Sequence, residues 1–471
     1  MQGVIGVYSK VDAHRKALYT LYGVQHRGQE SAGLSAAGDH SLRTWKGRGL
    51  VSNVFNERFS SFTHPDDYAV IGCASGENTN QIDLPPYSFE TARYEVSIAI
   101  DGYIQMDKRS ANEMEFGGLL ASKLGEMGPD TAMAETMKEI SHACYSLVAV
   151  IHDKDEDTSE LIAARGRLGV RPLYVACNGD ELFVASESAP IDVLESMGQF
   201  YEGKRDVRPG SLLLMGEDGL RDIQVLEPEP AHCVFEWVYF GRPDSIIEGR
   251  TVHSVRKRLG HTLVKTHSLV DLYCGGDGED DIVVIPVPDS GRSVCMGVTE
   301  ALGIAADEGV IKNAYLGRTY IIDDPDFRKV ASDLKHNIIR ETVRGKKVVI
   351  TDDSIVRGTV SESVAQNLLK AGASEVEFLV SYGPIYHPCF SDPPDKPLAA
   401  APYKGEELNE LGDLVASNLP SINKVRYNSP ENVVRAIGLP PEKLCTYCMD
   451  GKDPFSEGRK PPNFEVYPSR Q

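Results

Sequence analysis

No stretch of this 471-residue sequence approaches the roughly 20 consecutive apolar residues that a bilayer span requires, and no basic segment followed by an apolar one opens it. Positive charge is scarce as well: 49 Lys and Arg face 69 Asp and Glu, a formal net charge of −20. A surface of that sign repels nucleic acid and anionic lipid, so any phosphate-bearing ligand has to be held by local groups. Cysteine is too sparse, nine residues in the whole chain, for a dense disulfide framework. These absences imply a cytoplasmic protein with neither nucleic acid nor membrane as partner. The length exceeds one ordinary core, and 41% hydrophobic residues suffice to build two.

The two halves follow different grammars. To about residue 230 the chain offers short β runs, among them 94–100, 145–151 and 181–186, interrupted by helical patterns at 11–23 and 117–140. "DVRPGSLLLM" (206–215) is the last strand signal of this half. Strands bounded by turn residues with few helices between them predict a largely antiparallel layered domain covered by helices. From "CVFEWVYFGRPDS" onward, "DIVVIPVPDS", "KKVVITDDS" and "EVEFLVSY" alternate with helical segments, which predicts a parallel sheet with helices on both faces. The expected domains are therefore 1–230 and 231–471, an α+β unit followed by an α/β unit. Residues 391–405 read as a loop.

"VVITDDSIVRGTV" (348–360) is the most informative stretch. An apolar strand ends in two acids, and a short loop with one glycine feeds a helix starting near Val360. That arrangement aims backbone N–H groups and a helix N-terminus at one place, which suits a phosphate. Asp352 and Asp353 would repel the phosphate itself, so they suit the hydroxyls of a ribose diol. A plain strand-to-helix connection capped by Asp and Ser is the competing reading. Elsewhere, Cys445 and Cys448 form a CxxC compatible with a zinc knuckle, a redox pair or coincidence. Cys73, Cys144, Cys177, Cys274 and Cys295 stand alone and are most simply core residues.

The order of acids, Ser354 and "RGT" resembles the phosphoribosyl pyrophosphate (PRPP) motif of type I phosphoribosyltransferases. "CVFEWVYFGRPDSIIEGRTVHSVRKRLG", "VIPVPDSGR", "EGVIKNAYLGRTYI" and "DDSIVRGT" together resemble the transferase half of the glutamine PRPP amidotransferase family, which opens purine biosynthesis. "QHRGQESAG" (25–33) and "RGRLGVRPLYVA" resemble its glutaminase half, so the likeness spans nearly the whole chain. The resemblance implies an N-terminal nucleophile αββα domain of the class II glutamine amidotransferase type, followed by a type I phosphoribosyltransferase domain. It implies PRPP bound by Asp352, Asp353, Ser354, Ile355, Val356, Arg357, Gly358 and Thr359, with Lys335 from a mobile lid. Mg²⁺ would lie among Ser290, Asp352 and Asp353, and the pyrophosphate loop would include Asp289 and Arg292. Cys233, Cys389, Cys445 and Cys448 occupy the positions of the four ligands in the iron–sulfur members of the family, implying a 4Fe-4S cluster. Nucleotide monophosphates as inhibitors and a homo-oligomeric state are also implied.

The largest absence is visible only against that resemblance. The family's glutaminase needs a thiolate on the first residue of the mature chain, whose α-amino group is the base; Gln2 stands there instead. Ser75, in "GCASG", replaces the arginine that clamps the glutamine carboxylate. Asp101, in "IDGYI", replaces the amide donor of an oxyanion hole, and an acid there opposes a developing oxyanion. The acid that receives the substrate amino group has no clear counterpart in the shortened "MDKRSANEMEFGG". In the lid, Arg328, Lys335, Asn337 and Arg340 match the family, whereas Asp333 and Leu334 replace arginines and Asp323, Asp324 and Asp326 add negative charge; Val360 replaces a threonine. Two expectations follow. One is an enzyme that transfers ammonia, ammonia from a separate protein, or another small amine to PRPP; the other is a non-catalytic PRPP- or nucleotide-binding regulator.

Overall fold

The computed structural model describes the chain except residues 57–58, 60–61, 77–83, 107–108, 141, 275–280, 314–335, 391–396 and 456–471. The first half builds two seven-stranded sheets. Its strands are β1 (Gln2–Tyr8), β2 (Ser31–Gly38), β3 (Arg43–Arg48), β4 (Asp67–Ser75), β5 (Tyr87–Glu90), β6 (Tyr94–Met106), β7 (Arg109–Ala111), β8 (Cys144–Asp153), β9 (Thr158–Arg165), β10 (Tyr174–Asn178), β11 (Glu181–Ala185), β12 (Arg205–Asp206), β13 (Ser211–Gly216) and β14 (Gly219–Gln224). One sheet runs β12-β10-β11-β1-β4-β2-β3; the other runs β14-β13-β9-β8-β6-β5, with β7 beside β6.

Alternation along these strands sends side chains to two cores at once. Val4, Cys73, Val148, Leu161 and Leu213 fill the space between the sheets. Ile5, Val70 and Phe183 pack outward under the helices Ala13–Gly23 and Ala189–Ser196. Ile98, Leu147 and Leu212 do so under Glu113–Leu124 and Pro129–Glu139. The result is the expected αββα layering, with two corrections. The helix expected over 117–140 is two helices, because Gly125 and Gly128 break it and Pro129 starts the second. β14 follows the expected last strand, and its half-exposed, mostly polar residues hid it.

In the second half, β15 (His232–Cys233), β16 (Ile246–Ile247) and β17 (Arg250–Thr251) precede β18 (Ile282–Pro286), β19 (Val310–Lys312), β20 (His336–Ile338), β21 (Lys347–Asp352), β22 (Glu375–Val380), β23 (Lys424–Tyr427) and β24 (Leu444–Cys445). A four-stranded parallel sheet runs β18-β21-β22-β23. Helices Thr359–Ala371 and Leu408–Ser417 cover one face; Gly291–Leu302 and the end of Val252–Thr266 cover the other. β23 carries only four residues and went unread in the sequence. Among the described residues no helix is long and apolar enough to cross a membrane.

Candidate active site

β21 ends at Asp352, at the carboxyl edge of the parallel sheet, where ligands of such sheets lie. The Asp353 N–H donates to the Asp352 carboxylate (2.9 Å), and the Ser354 hydroxyl donates to Asp353 (2.6 Å). Ile355 is buried in the core, so the loop is anchored by one apolar side chain while its backbone wraps the site. Gly358 has φ 81° and caps the helix that starts at Thr359; a Cβ there would come within 2.8 Å of Leu419. Only glycine meets both conditions. Val356 and Arg357 lie between these two anchors, so the whole expected PRPP loop, 352–359, forms one continuous turn at a helix N-terminus.

The loop Val287–Ser290 follows β18 on the neighbouring strand and leads into the helix Gly291–Leu302. Gly291 presses it onto β21, since a Cβ would meet the Thr351 carbonyl oxygen at 2.3 Å. Ser290 hydrogen-bonds to Asp353, joining the two loops. Asp289 pairs with Lys312 (2.8 Å) and Arg292 with Glu308 (3.0 Å). Burial and the neighbouring Asp353 push the Asp352 carboxyl well above the usual carboxylate range. Burial also raises Asp353, against the opposing pull of Ser290, Ser354 and the Arg256 guanidinium. Two buried adjacent acids and a hydroxyl suit a diol and a hard divalent cation, which supply the missing counter-charge. Lys335, Arg328, Asp333, Leu334 and the acids at 323, 324 and 326 lie outside the described residues. A cavity of about 440 Å³ lined by Tyr273, Ile282, Ala306 and Asp307 sits at the opposite edge of the sheet and shares no residue with this constellation.

In the first half, Gln2 is 2% exposed and enclosed on three sides. Its N–H donates to Asp101 (2.9 Å), its side-chain Nε2 donates to Glu113 (3.2 Å), and the Cys73 thiol donates to its Oε1 (3.0 Å). Ser75 lies directly opposite Gln2 in the β1–β4 register and is itself buried. Asp101 is compensated by buried cations. Burial alone would raise it, but Arg171, Arg27 and the Gln2 N–H hold it below its ordinary value. Glu113, first residue of its helix behind the Asn112 cap, supplies an acid to this pocket where none was expected.

Arg27 is fully buried and joins the halves. It donates to Asp101 (3.1 Å) and Glu187 (2.8 Å) in the first half, and with both terminal nitrogens to Glu236 (3.0 and 2.9 Å) in the second. Arg171 adds a further bond to Glu236 (3.3 Å). Glu236 opens a π-helical turn, Glu236–Phe240, and Arg256 donates to the carbonyls of Trp237, Tyr239 and Gly241 just beyond it (2.8, 3.0 and 2.8 Å). Burial lowers Arg256 to about 10, with Asp353 pulling it upward. Part of the signal for this network was available: "GVRPL" and "CVFEW" each carry a charge inside an apolar motif, and the signs are complementary.

The four expected ligand cysteines converge. Cys233 and Cys445 are register partners in the β15–β24 pair, and Tyr382 hydrogen-bonds to Cys448 at 2.8 Å. Cys389 is close enough to raise the thiols of Cys233, Cys445 and Cys448, all of which burial raises first. Raised in this way these three thiols rest protonated, and they would ionise only with a positive group between them. Among the described residues no group of three or more His, Cys, Asp or Glu side chains is placed to hold a metal ion. Of the solitary cysteines, Cys73, Cys144 and Cys295 are buried as expected and Cys177 is half-buried, whereas Cys274 is exposed and departs from expectation.

A layered αββα domain of the N-terminal nucleophile type, joined to a parallel sheet whose strand ends in the paired-acid loop, defines a glutamine amidotransferase-like unit fused to a type I phosphoribosyltransferase. No family model matches the chain. The curated amidophosphoribosyltransferase of Methanothermobacter thermautotrophicus is 32% identical over 96% of this chain and 94% of its own length. That of Archaeoglobus fulgidus is 32% identical over 97% and 98%. The solved glutamine PRPP amidotransferase from B. subtilis, complexed with ADP and GMP, superposes with a TM-score of 0.79 at 29% identity, over 98% of this chain and 99% of that one. The chain belongs to the amidophosphoribosyltransferase family.

Proposed function

We propose that the chain transfers ammonia or another small amine to PRPP, releasing pyrophosphate and giving 5-phosphoribosylamine or its analogue, without using glutamine. The carrying observation is an intact diol-and-phosphate loop, Asp352 to Thr359, beside a first half in which Gln2 takes the nucleophile's place. In this reading domain 1–230 is a glutaminase scaffold and 231–471 the transferase. Asp352 and Asp353 accept hydrogen bonds from the ribose hydroxyls, the 354–359 backbone donates to the 5-phosphate, and Arg292 with Ser290 faces the pyrophosphate. The amine lone pair forms the bond to C1 as the C1–oxygen bond breaks, the pyrophosphate leaves with that electron pair, and the amine loses a proton to solvent. Mg²⁺, held among Ser290, Asp352 and Asp353, would neutralise charge gathering on the leaving group.

Cys233, Cys389, Cys445 and Cys448 would hold a 4Fe-4S cluster whose role is structural or oxygen-sensing, since the transfer is not a redox reaction. Binding of GMP and ADP by the B. subtilis relative supports nucleotide inhibition here as well. Acidic residues in the lid sequence favour a second reading, a non-catalytic PRPP- or nucleotide-binding regulator. The deciding assay is pyrophosphate release from PRPP and Mg²⁺ by anaerobically purified protein, with ammonium at alkaline pH and separately with glutamine. Release with ammonium alone is expected. Release with glutamine would overturn the glutamine-independent reading, and tight PRPP binding with silence toward both would establish the regulator.

A further inference from the structure

The vestigial pocket in the first half is filled, and its filler has the chemistry of the lost substrate. A cysteine at position 2 holding a substrate would present the sequence Cβ, Sγ, carbonyl carbon, with the amide oxygen and nitrogen beyond. Gln2 presents Cβ, Cγ, Cδ, with Oε1 and Nε2 beyond. Bond for bond, its carboxamide replaces the amide of a glutamine already attached to the nucleophile. Its surroundings meet that amide at both ends. The carboxamide oxygen accepts from the Cys73 thiol (3.0 Å), its nitrogen donates to Glu113 (3.2 Å), and Asp101 receives the backbone N–H (2.9 Å). Both ends of one primary amide are satisfied in a site 2% open to solvent.

We infer that Gln2 is an internal ligand of this pocket, occupying the primary-amide subsite and excluding glutamine and every other small carboxamide. The inference rests on the reading that Gln2 stands where the nucleophile would, and extends it: the site has not collapsed but is plugged by a tethered copy of its ligand class. Removing the plug should therefore uncover a cradle that still selects an amide, although Ser75 offers no cation to hold a carboxylate.

The test uses the full chain and propionamide, the truncated side chain of glutamine, as probe. Gln2→Gly is expected to melt about 2–6 °C below the parent, the loss of a few buried hydrogen bonds. Propionamide at 10 mM should restore most of that shift, while propionate and 1-propanol should not, and neither the parent nor Gln2→Leu should respond. Equal rescue by all three probes, or an equal response of the parent, overturns the inference. Should Gln2→Gly fail to fold, hydrogen exchange in glutamine-¹⁵N-labelled parent protein decides. The Gln2 carboxamide protons are expected to exchange at least about 100-fold slower than those of exposed glutamines; fast exchange overturns the plug. Glutamine-driven pyrophosphate release would instead overturn the underlying reading, so the two failures are distinguishable.

Discussion

Asp101 and Asp352 are both buried carboxyls, and their neighbours drive them in opposite directions. Asp101 faces Arg171 and Arg27 and is held below its ordinary value. An acid depressed in the folded state contributes stability above its unfolded pKa, near 3.9, and loses it as pH falls through the lower folded value. Asp101→Asn should therefore cost about 3 kcal/mol at pH 7 by leaving buried guanidiniums under-compensated. The difference from the parent should shrink below about pH 4, read by urea melts at both pH values. Asp352, raised by burial and Asp353, reverses the sign: its ionisation costs the free protein stability as pH rises above that same unfolded value. Asp352→Asn should thus stabilise the free protein by about 1 kcal/mol while abolishing PRPP binding, an exchange of stability for function readable by melting and calorimetry.

At the scale of elements, the π-helical turn Glu236–Phe240 carries the connection between halves. Glu236 anchors it to Arg27, and its carbonyls hold Arg256, whose charge reaches Asp353. Glu236→Gln retains the shape and removes the charge. The expected result is a rise in KM for PRPP of about tenfold with kcat little changed. An unchanged KM would mean the turn stands without its ion pair. The short parallel pair β15–β24 plays a similar role for the C-terminal segment, bringing Cys445 beside Cys233. Iron analysis of anaerobically purified protein should give about four atoms per chain, lost together with visible absorbance in Cys445→Ser. Zinc in place of iron would exclude the cluster.

At the scale of the whole molecule, the two halves are tied together by buried charges that belong to both. Arg27 is neutralised by Asp101 and Glu187 from one side and by Glu236 from the other, so separation would strand charge in both pieces. Much of this protein was legible in order of residues alone. Apolar periodicity exposed the change from antiparallel layers to a parallel sheet, because both periods are local. The paired acids, the single glycine and the helix after them marked the strand-to-helix turn proposed to hold phosphate, because that geometry is built from eight consecutive residues. The four-residue β23, the polar β14 and the break at Gly125–Gly128 escaped, since a short edge or exposed strand shows no hydrophobic pattern. The acid at position 113 escaped for a different reason: it lies 111 residues from Gln2, and no spacing rule connects them. The sequence by itself determined that glutamine, and no cysteine, stands at position 2, a matter of one residue's identity. Only the tertiary structure decided what surrounds it, because whether Gln2 leaves a void or fills one depends on Cys73, Asp101 and Glu113 arriving from three separate elements.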